Sequence, residues 1–355
     1  MSRFLSNKHA GMDPYVPGEQ PQDQQYVKLN TNESPFAPSP EVIKALSASE
    51  AEKLNLYSDP NCTKLNAAIA KVHGVTPEQV FSGNGSDELL AFAFLAFCGP
   101  DKKVCFPDVS YGFYPVFARL FNLDYLEIPL KADFSVDPTD YFGIGRTVFL
   151  ANPNAPTGIA LTTAQIAGIA KNNPDDLLVV DEAYADFATE TALPLLMEYD
   201  NILIIRTFSK SRSLAGMRLG YAVSSPEIVA ELNMMKFSFN PYNVDRLALL
   251  AGTAAMEDMD YFRACTAKTV EDREAFSKKL AQKGYFVLPS GTNFVFARHP
   301  KLTGGEFYKR LKKNGVLVRW FDKDRIRDFV RITIGSKEQM DAFFKAADAA
   351  ERQAE

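Results

Sequence analysis

Apolar positions recur in two rhythms along the chain. Leu65, Ile69 and Val72 fall at i, i+4 and i+7, which places them on one face of a helix over Thr63–Val72, and Gly74 stands where its C-cap belongs. Beyond it, short apolar runs alternate with amphipathic stretches. Lys103–Phe106, Tyr125–Pro129, Thr147–Ala151, Leu177–Asp181, Ile202–Thr207 and Leu219–Val223 read as strands, with helices over Ser86–Phe97, Tyr114–Phe121 and Thr163–Lys171. Strands alternating with helices predict an α/β fold, a mostly parallel sheet between two helical layers.

The rhythm changes near Tyr242. Helix dominates from Val244 to Lys283; then short strands (Phe286–Leu288, Phe294–Ala297, Val316–Arg319, Val330–Ile334) alternate with helices, as in a smaller α+β domain. The first thirty residues are polar and turn-rich, and proline at the density of Asp13-Pro14-Tyr15-Val16-Pro17-Gly18 opposes helix. They predict an extended arm laid on another surface, such as a partner subunit. The expected division is an arm over 1–30, a large domain over 31–245 and a small one over 246–355. The charge run from Lys323 to Asp328 reads as a solvated segment.

Composition narrows the function. With 355 residues, 46% hydrophobic and 23% charged, the chain has the balance of a soluble globular protein of two domains. A net charge of −5 argues against nucleic-acid binding, which draws its affinity from clustered cations. No apolar stretch is long enough to span a membrane and the N-terminus has no signal-like core, so a cytoplasmic protein is expected. Three scattered histidines and four cysteines without a C-x-x-C pair suit neither a metal centre nor a disulfide scaffold.

Ligands of open α/β sheets bind at the carboxyl ends of the strands. Three of those ends carry chemistry: Asn152 in Asn152-Pro153-Asn154-Ala155-Pro156-Thr157-Gly158, Asp181 in Asp181-Glu182-Ala183-Tyr184, and Lys210 in Thr207-Phe208-Ser209-Lys210. They lie at equal intervals, each close to one β-α unit, so successive units deliver an amide, a carboxylate and an amine to one edge. Pyridoxal phosphate needs that set: an amine for its aldehyde, a carboxylate for its ring nitrogen, donors for its phenolate, and hydroxyls, helix N-terminal amides and an Arg for its phosphate. Gly83-Asn84-Gly85-Ser86-Asp87 leads into a helix, Arg218 follows Lys210, and Tyr111 is placed to stack on a ring. Taken singly, each has a plain structural explanation: a helix cap, a surface lysine, a loop of turn formers, a half-buried tyrosine. Their joint occurrence does not.

These segments, with Leu214-Ala215-Gly216-Met217-Arg218-Leu219-Gly220-Tyr221, resemble the class I/II aminotransferases, the fold-type I pyridoxal phosphate enzymes. The likeness runs from Pro14-Tyr15-x-Pro17-Gly18 and Lys28-Leu29-Asn30-x-Asn32-Glu33-Ser34-Pro35 to Val330-Arg331-Ile332-Thr333-Ile334-Gly335. It implies a seven-stranded large-domain sheet and a homodimer. Lys210 would form the internal aldimine and then move the substrate's proton. Asp181 would hold the ring nitrogen, Asn152 and Tyr184 the phenolate, and Tyr111 the ring face. Gly85, Ser86, Thr207, Ser209 and Arg218 would bind the phosphate, with Tyr57 reaching across from the other subunit. Arg331 would take an α-carboxylate, and Arg319, Tyr15 and Asn32 would meet the rest of the substrate.

Within the family the resemblance is closest to the members acting on histidinol phosphate with the glutamate/2-oxoglutarate pair. Histidinol phosphate carries an alcohol where an amino acid has its carboxylate. Arg331 would therefore serve glutamate, and Arg319 either the phosphate or the distal carboxylate, since a guanidinium fork fits both. Arg319 could instead only cap a neighbouring element. Aromatic amino-acid aminotransferases and a threonine-phosphate decarboxylase share the pattern. A regulator built on the same fold would need a DNA-binding domain, and a dinucleotide oxidoreductase its glycine fingerprint; neither pattern is found. The sequence leaves open whether Trp320 and Phe321 line the pocket.

Overall fold

The computed structural model describes residues 9, 11–46, 50 and 52–352. Its strands are β1 (Val27–Leu29), β2 (Val80–Gly83), β3 (Val104–Pro107), β4 (Tyr125–Ile128), β5 (Thr147–Ala151), β6 (Leu178–Asp181), β7 (Ile202–Thr207), β8 (Gly220–Val223), β9 (Phe286–Val287), β10 (Phe294–Arg298), β11 (Val316–Trp320) and β12 (Phe329–Thr333). The helices are α1 (Pro40–Ala45), α2 (Thr63–His73), α3 (Ser86–Phe97), α4 (Phe113–Leu120), α5 (Thr163–Lys171), α6 (Pro226–Phe239), α7 (Arg246–Glu257), α8 (Met259–Gln282), α9 (Gly304–Lys313) and α10 (Lys337–Arg352).

Seven strands form one sheet in the order β2-β8-β7-β6-β5-β3-β4. The pairs from β7 through β6, β5 and β3 to β4 are parallel, whereas β8 is antiparallel to β7 and to β2. Every residue of β6 and β7 is buried, because helices cover both faces of a parallel sheet and leave no polar side. One face packs on α3, α4 and α6 through Leu90, Phe94, Phe117, Phe149 and Leu232; the other packs on α5 through Ile166 and Ile169. Local signals start and stop the helices: Thr162 and Gln165 form a capping box before α5, and Gly74 ends α2 at φ +69°.

The second sheet, β1-β11-β12-β10-β9, packs on α8, α9 and α10 through Phe276, Phe307, Ile332 and Phe343. The helical stretch expected over Val244–Lys283 is two helices, divided at Asp258, whose side chain accepts from the Tyr261 amide and starts the second. Four elements escaped the sequence reading: β1, α1, β2 and α6. A further difference concerns the arm. Its described part lies on its own subunit: β1 runs parallel to β11, and Pro17, Gly18 and Glu19 contact Arg319, Thr31, Tyr308 and Lys312 of the same chain.

Candidate active site

Register places the chemistry. Ala151 pairs with Asp181 and Asp181 with Ile205, so β5, β6 and β7 end together, and the Glu182 amide donates to the Ile205 carbonyl at 2.8 Å. Asp181, Tyr184 and Lys210 leave the sheet along this edge.

Asp181 is buried, 5% exposed. Its carboxylate accepts from the Tyr114 hydroxyl (3.1 Å) and the Ala183 amide (3.2 Å), and no cation pairs with it among the described residues. Burial, reinforced by Asp87 and Glu182, pushes its pKa up to about 6 against those two donors. On the loop after β7 stands Lys210, whose ammonium lies 6.0 Å from the Tyr184 ring centre and donates to the Thr31 carbonyl at 3.1 Å. Burial, with the Arg331 charge, lowers its pKa to about 8 although Glu33 pulls the other way. About one amine in ten is thus free base at pH 7, far more than for an ordinary lysine, as a nucleophile or proton acceptor requires. The Tyr184 hydroxyl accepts from Asn32 Nδ2 at 2.8 Å, and Asn32 is fixed by Thr333 through its own amide and carbonyl oxygen.

An anion cradle lies beside them. Gly85, at φ +82°, is the N-cap of α3, whose first amides have no helical partners. Gly220 runs directly beneath this turn: a Cβ there would sit 2.7 Å from the Ser86 amide nitrogen and 2.8 Å from the Gly85 carbonyl carbon, so only glycine fits. Arg218, held at φ +50°, donates to Ser209 Oγ at 3.3 Å and lies 3.6 Å from the Asp87 carboxylate. The Thr207 hydroxyl accepts from the Ser209 amide at 3.1 Å. Tyr111 donates to Asp87 at 2.7 Å, which fixes its ring at the mouth.

Two guanidinium groups close the far side. Arg331 donates to the Asn30 carbonyl at 3.0 Å, lies over the Phe294 ring, and its buried Nε has no partner. Arg319 donates to the carbonyls of Val16 (2.8 Å) and Pro17 (3.1 Å). Tyr15 stacks on Phe113 with ring centres 4.1 Å apart, 6.2 Å from Tyr111. Phe321 lies under both arginines, while Trp320 points away and packs against Gly305 and Tyr308. Phe321 faces the pocket; Trp320 supports it from beneath.

Two expected residues stand apart. Asn152 spends its carbonyl on the Leu161 amide (2.7 Å) and an amide N–H on the Leu161 carbonyl (3.3 Å), closing its own loop. Tyr57, 79% exposed, stacks on Tyr242 outside this chain's site. Conversely, sequence reasoning missed Tyr114 and Asp87 as partners of Asp181, Tyr111 and Arg218. Asp87 lay inside the glycine loop, a usable signal; Tyr114 looked like any helix-core tyrosine. Also missed was a buried tie beneath the site, where Arg206 bonds Glu182 (2.7 Å) and Asp186 (2.9 Å) and Asp186 accepts from Ser211 (2.5 Å). It links the loop after β6 to the one that carries Lys210.

The family described as aminotransferase class I and II matches residues 24–346. Histidinol-phosphate aminotransferase 1 of Bradyrhizobium diazoefficiens is 49% identical over 339 residues, 96% of this chain and 97% of its own. The histidinol-phosphate aminotransferase of Marinomonas sp. is 48% identical over 349 residues, 98% and 99% of the two chains. Among solved structures, the histidinol-phosphate aminotransferase of Sinorhizobium meliloti in complex with pyridoxal-5'-phosphate superposes with a TM-score of 0.90 at 25% identity, covering 100% of this chain and 99% of that one.

Proposed function

Since the chain belongs to the class I and II aminotransferases, we propose that it exchanges an amino group between histidinol phosphate and 2-oxoglutarate, with pyridoxal phosphate as cofactor. The observation that carries the reading is a buried Asp181 with no cation bonded to it among the described residues, at the same sheet edge as the strand that leads to Lys210, whose proton burial loosens. A buried carboxyl without a counter-charge is costly, and a protonated pyridine nitrogen is the partner it lacks. The donor set fits the cofactor's other groups: Lys210 the aldehyde, Tyr184 the phenolate oxygen, and Ser86, Ser209, Thr207 and Arg218 around the Gly85 cradle the phosphate.

When bound, pyridoxal phosphate supplies the carbon that carries the amino group and a ring that takes up the electrons of the broken bond. The chain does the rest. Asp181 would hold the ring nitrogen as a carboxylate. Tyr114 and the Ala183 amide keep its oxygens oriented. Lys210 Nζ takes the proton from the substrate Cα and returns it on the other side of the exchange. Tyr111, fixed by Asp87, would cover the cofactor ring, and Asn32 fixes the Tyr184 hydroxyl. The unpartnered Nε of Arg331 receives the α-carboxylate of glutamate as one arm of a fork, and Arg319 receives the phosphate of histidinol phosphate or the distal carboxylate of glutamate. Asn152, with its carbonyl oxygen and one N–H on Leu161, has its second N–H left for the phenolate oxygen.

A cytoplasmic homodimer belongs to the same proposal. Leu54, Leu56, Tyr57, Phe237, Phe239 and Tyr242 are large apolar side chains left exposed, a face suited to a second copy, and the role inferred for Tyr57 needs such a partner.

The test is the visible absorption of the purified, cofactor-loaded protein, with Lys210→Ala as control. Histidinol phosphate should discharge the band, 2-oxoglutarate should restore it, and the control should lack it. A band that answers only phenylalanine or tyrosine would move the substrate to aromatic amino acids. Carbon dioxide release without need of 2-oxoglutarate would make the chain a decarboxylase. No cofactor band at all would sink the enzymatic reading.

A further inference from the structure

Residues 15–19 cross the substrate side of the site as a strap without helix or strand of its own. Tyr15 stacks on Phe113, and Val16 and Pro17 present their carbonyls to Arg319. Gly18 lies so close to Thr31 that a Cβ would be 2.7 Å from its Cγ2, and the Thr31 carbonyl is the acceptor of Lys210. Glu19 ends the strap. Its carbonyl accepts from Asn30 Nδ2 at 2.8 Å; its carboxylate accepts from the Tyr308 hydroxyl and pairs with Lys312, both on α9.

We propose that Glu19 is the positioning residue that sets affinity for the phosphate-bearing substrate, by anchoring the strap whose carbonyls hold the Arg319 guanidinium in place. This rests on the substrate reading above. Glu19 is the only charged side chain from Pro14 to Gln22, so no other residue of the strap can form an ion pair. A free arginine side chain loses rotamer entropy when an anion fixes it, and the strap meets that cost beforehand. Two of the five guanidinium N–H groups are spent on Val16 and Pro17, which leaves three for an anion. Tyr308 and Lys312 also keep the Glu19 carboxylate occupied. Released from them, it would be a mobile anion near Arg319 and would compete with the substrate for the same guanidinium.

The chain contains a built-in reporter. Trp320, its only tryptophan, stacks on Tyr308 with ring centres 6.0 Å apart, next to the anchor. The experiment compares the cofactor-loaded wild type with Glu19→Gln, Lys312→Met, the double variant and the charge swap Glu19→Lys/Lys312→Glu. It measures kcat and KM for histidinol phosphate and acrylamide quenching of Trp320. Each single variant should raise KM about tenfold, the worth of one partly exposed charge-assisted contact, with kcat nearly unchanged. Trp320 should become more open to quencher, the double variant should be no worse than the worse single one, and the charge swap should recover part of the lost affinity. Unchanged KM with increased quenching would show that the anchor exists but does not serve the substrate, and would overturn the proposal. Unchanged quenching would show that Glu19 anchors nothing. If the wild type does not react with histidinol phosphate at all, the substrate reading fails, and quenching still reports the anchor by itself.

Discussion

Arg319 on β11 and Arg331 on β12 are directly opposed across an antiparallel pair. Like charges in that relation repel, and neither guanidinium has an ion-pair partner among the described residues; both bond only backbone carbonyls. A fold that keeps two uncompensated cations side by side at a pocket is prepared for ligands with two anionic groups.

That arrangement separates the two arginines by experiment. Arg331→Gln should raise KM for glutamate about a hundredfold, since a bidentate charged contact is lost. It should affect histidinol phosphate much less, because that substrate has no α-carboxylate. Arg319→Gln should weaken both substrates. Steady-state kinetics with each substrate varied in turn checks the pattern, and equal effects of Arg331→Gln on both would refute it.

Gly220 is tested by adding one carbon. In Gly220→Ala the new methyl meets the Ser86 amide nitrogen at 2.7 Å, so the cradle must shift. Overpacking of this kind costs about 1–3 kcal/mol, and here it should also weaken cofactor binding. Denaturant melts with and without pyridoxal phosphate would show the loss to be larger with the cofactor; equal losses would mean that the strain lies elsewhere.

His73 gives the fold an acid limb. Burial, helped by the Arg206 and Arg212 charges, lowers its pKa to about 4, and the ring bonds the Tyr221 hydroxyl at 2.8 Å. The unfolded chain takes up this proton near pH 6.5 and the folded chain only near 4. Stability from this group is therefore complete above 6.5, drains as pH falls, and levels off below 4. The full span is about 3 kcal/mol. His73→Gln should flatten that part of the stability curve relative to wild type, measured by urea unfolding from pH 7 to 4.

Tyr57 can be examined by complementation. If it serves the partner's cradle, Tyr57→Phe alone should weaken cofactor affinity about tenfold, and Lys210→Ala alone should be inactive. Mixed and reassociated, the two variants should form hybrid dimers with one fully intact site, recovering activity at limiting cofactor. No recovery from a mixture that does exchange subunits would count against a shared site.

Much of this molecule is legible in its residues. β5, β7, α3 and α5 begin and end where the apolar pattern places them, because buried parallel strands carry unbroken apolar runs and capped helices carry their own stop signals. α6 was not legible: Val229, Leu232 and Lys236 are buried while Met234, Phe237 and Phe239 are exposed, so its apolar residues circle the helix and blur the period. β2 reads Val80-Phe81-Ser82-Gly83, so only two apolar residues mark it before it runs into its glycine loop.

The sequence by itself determined the alternation of strands and helices, the sheet edge where the chemistry gathers, and the residues Lys210, Asp181, Tyr184 and Arg218 that gather there. These are consequences of local periodicity and of spacing by whole β-α units. Tertiary structure alone decided that Tyr114 orients Asp181, that Asn152 is spent on its own loop, that Phe321 and not Trp320 faces the pocket, and that the arm lies on its own chain. Those contacts depend on strand register and on which face each side chain takes. A one-residue shift of β11 would exchange Trp320 for Arg319, and no local pattern encodes that choice.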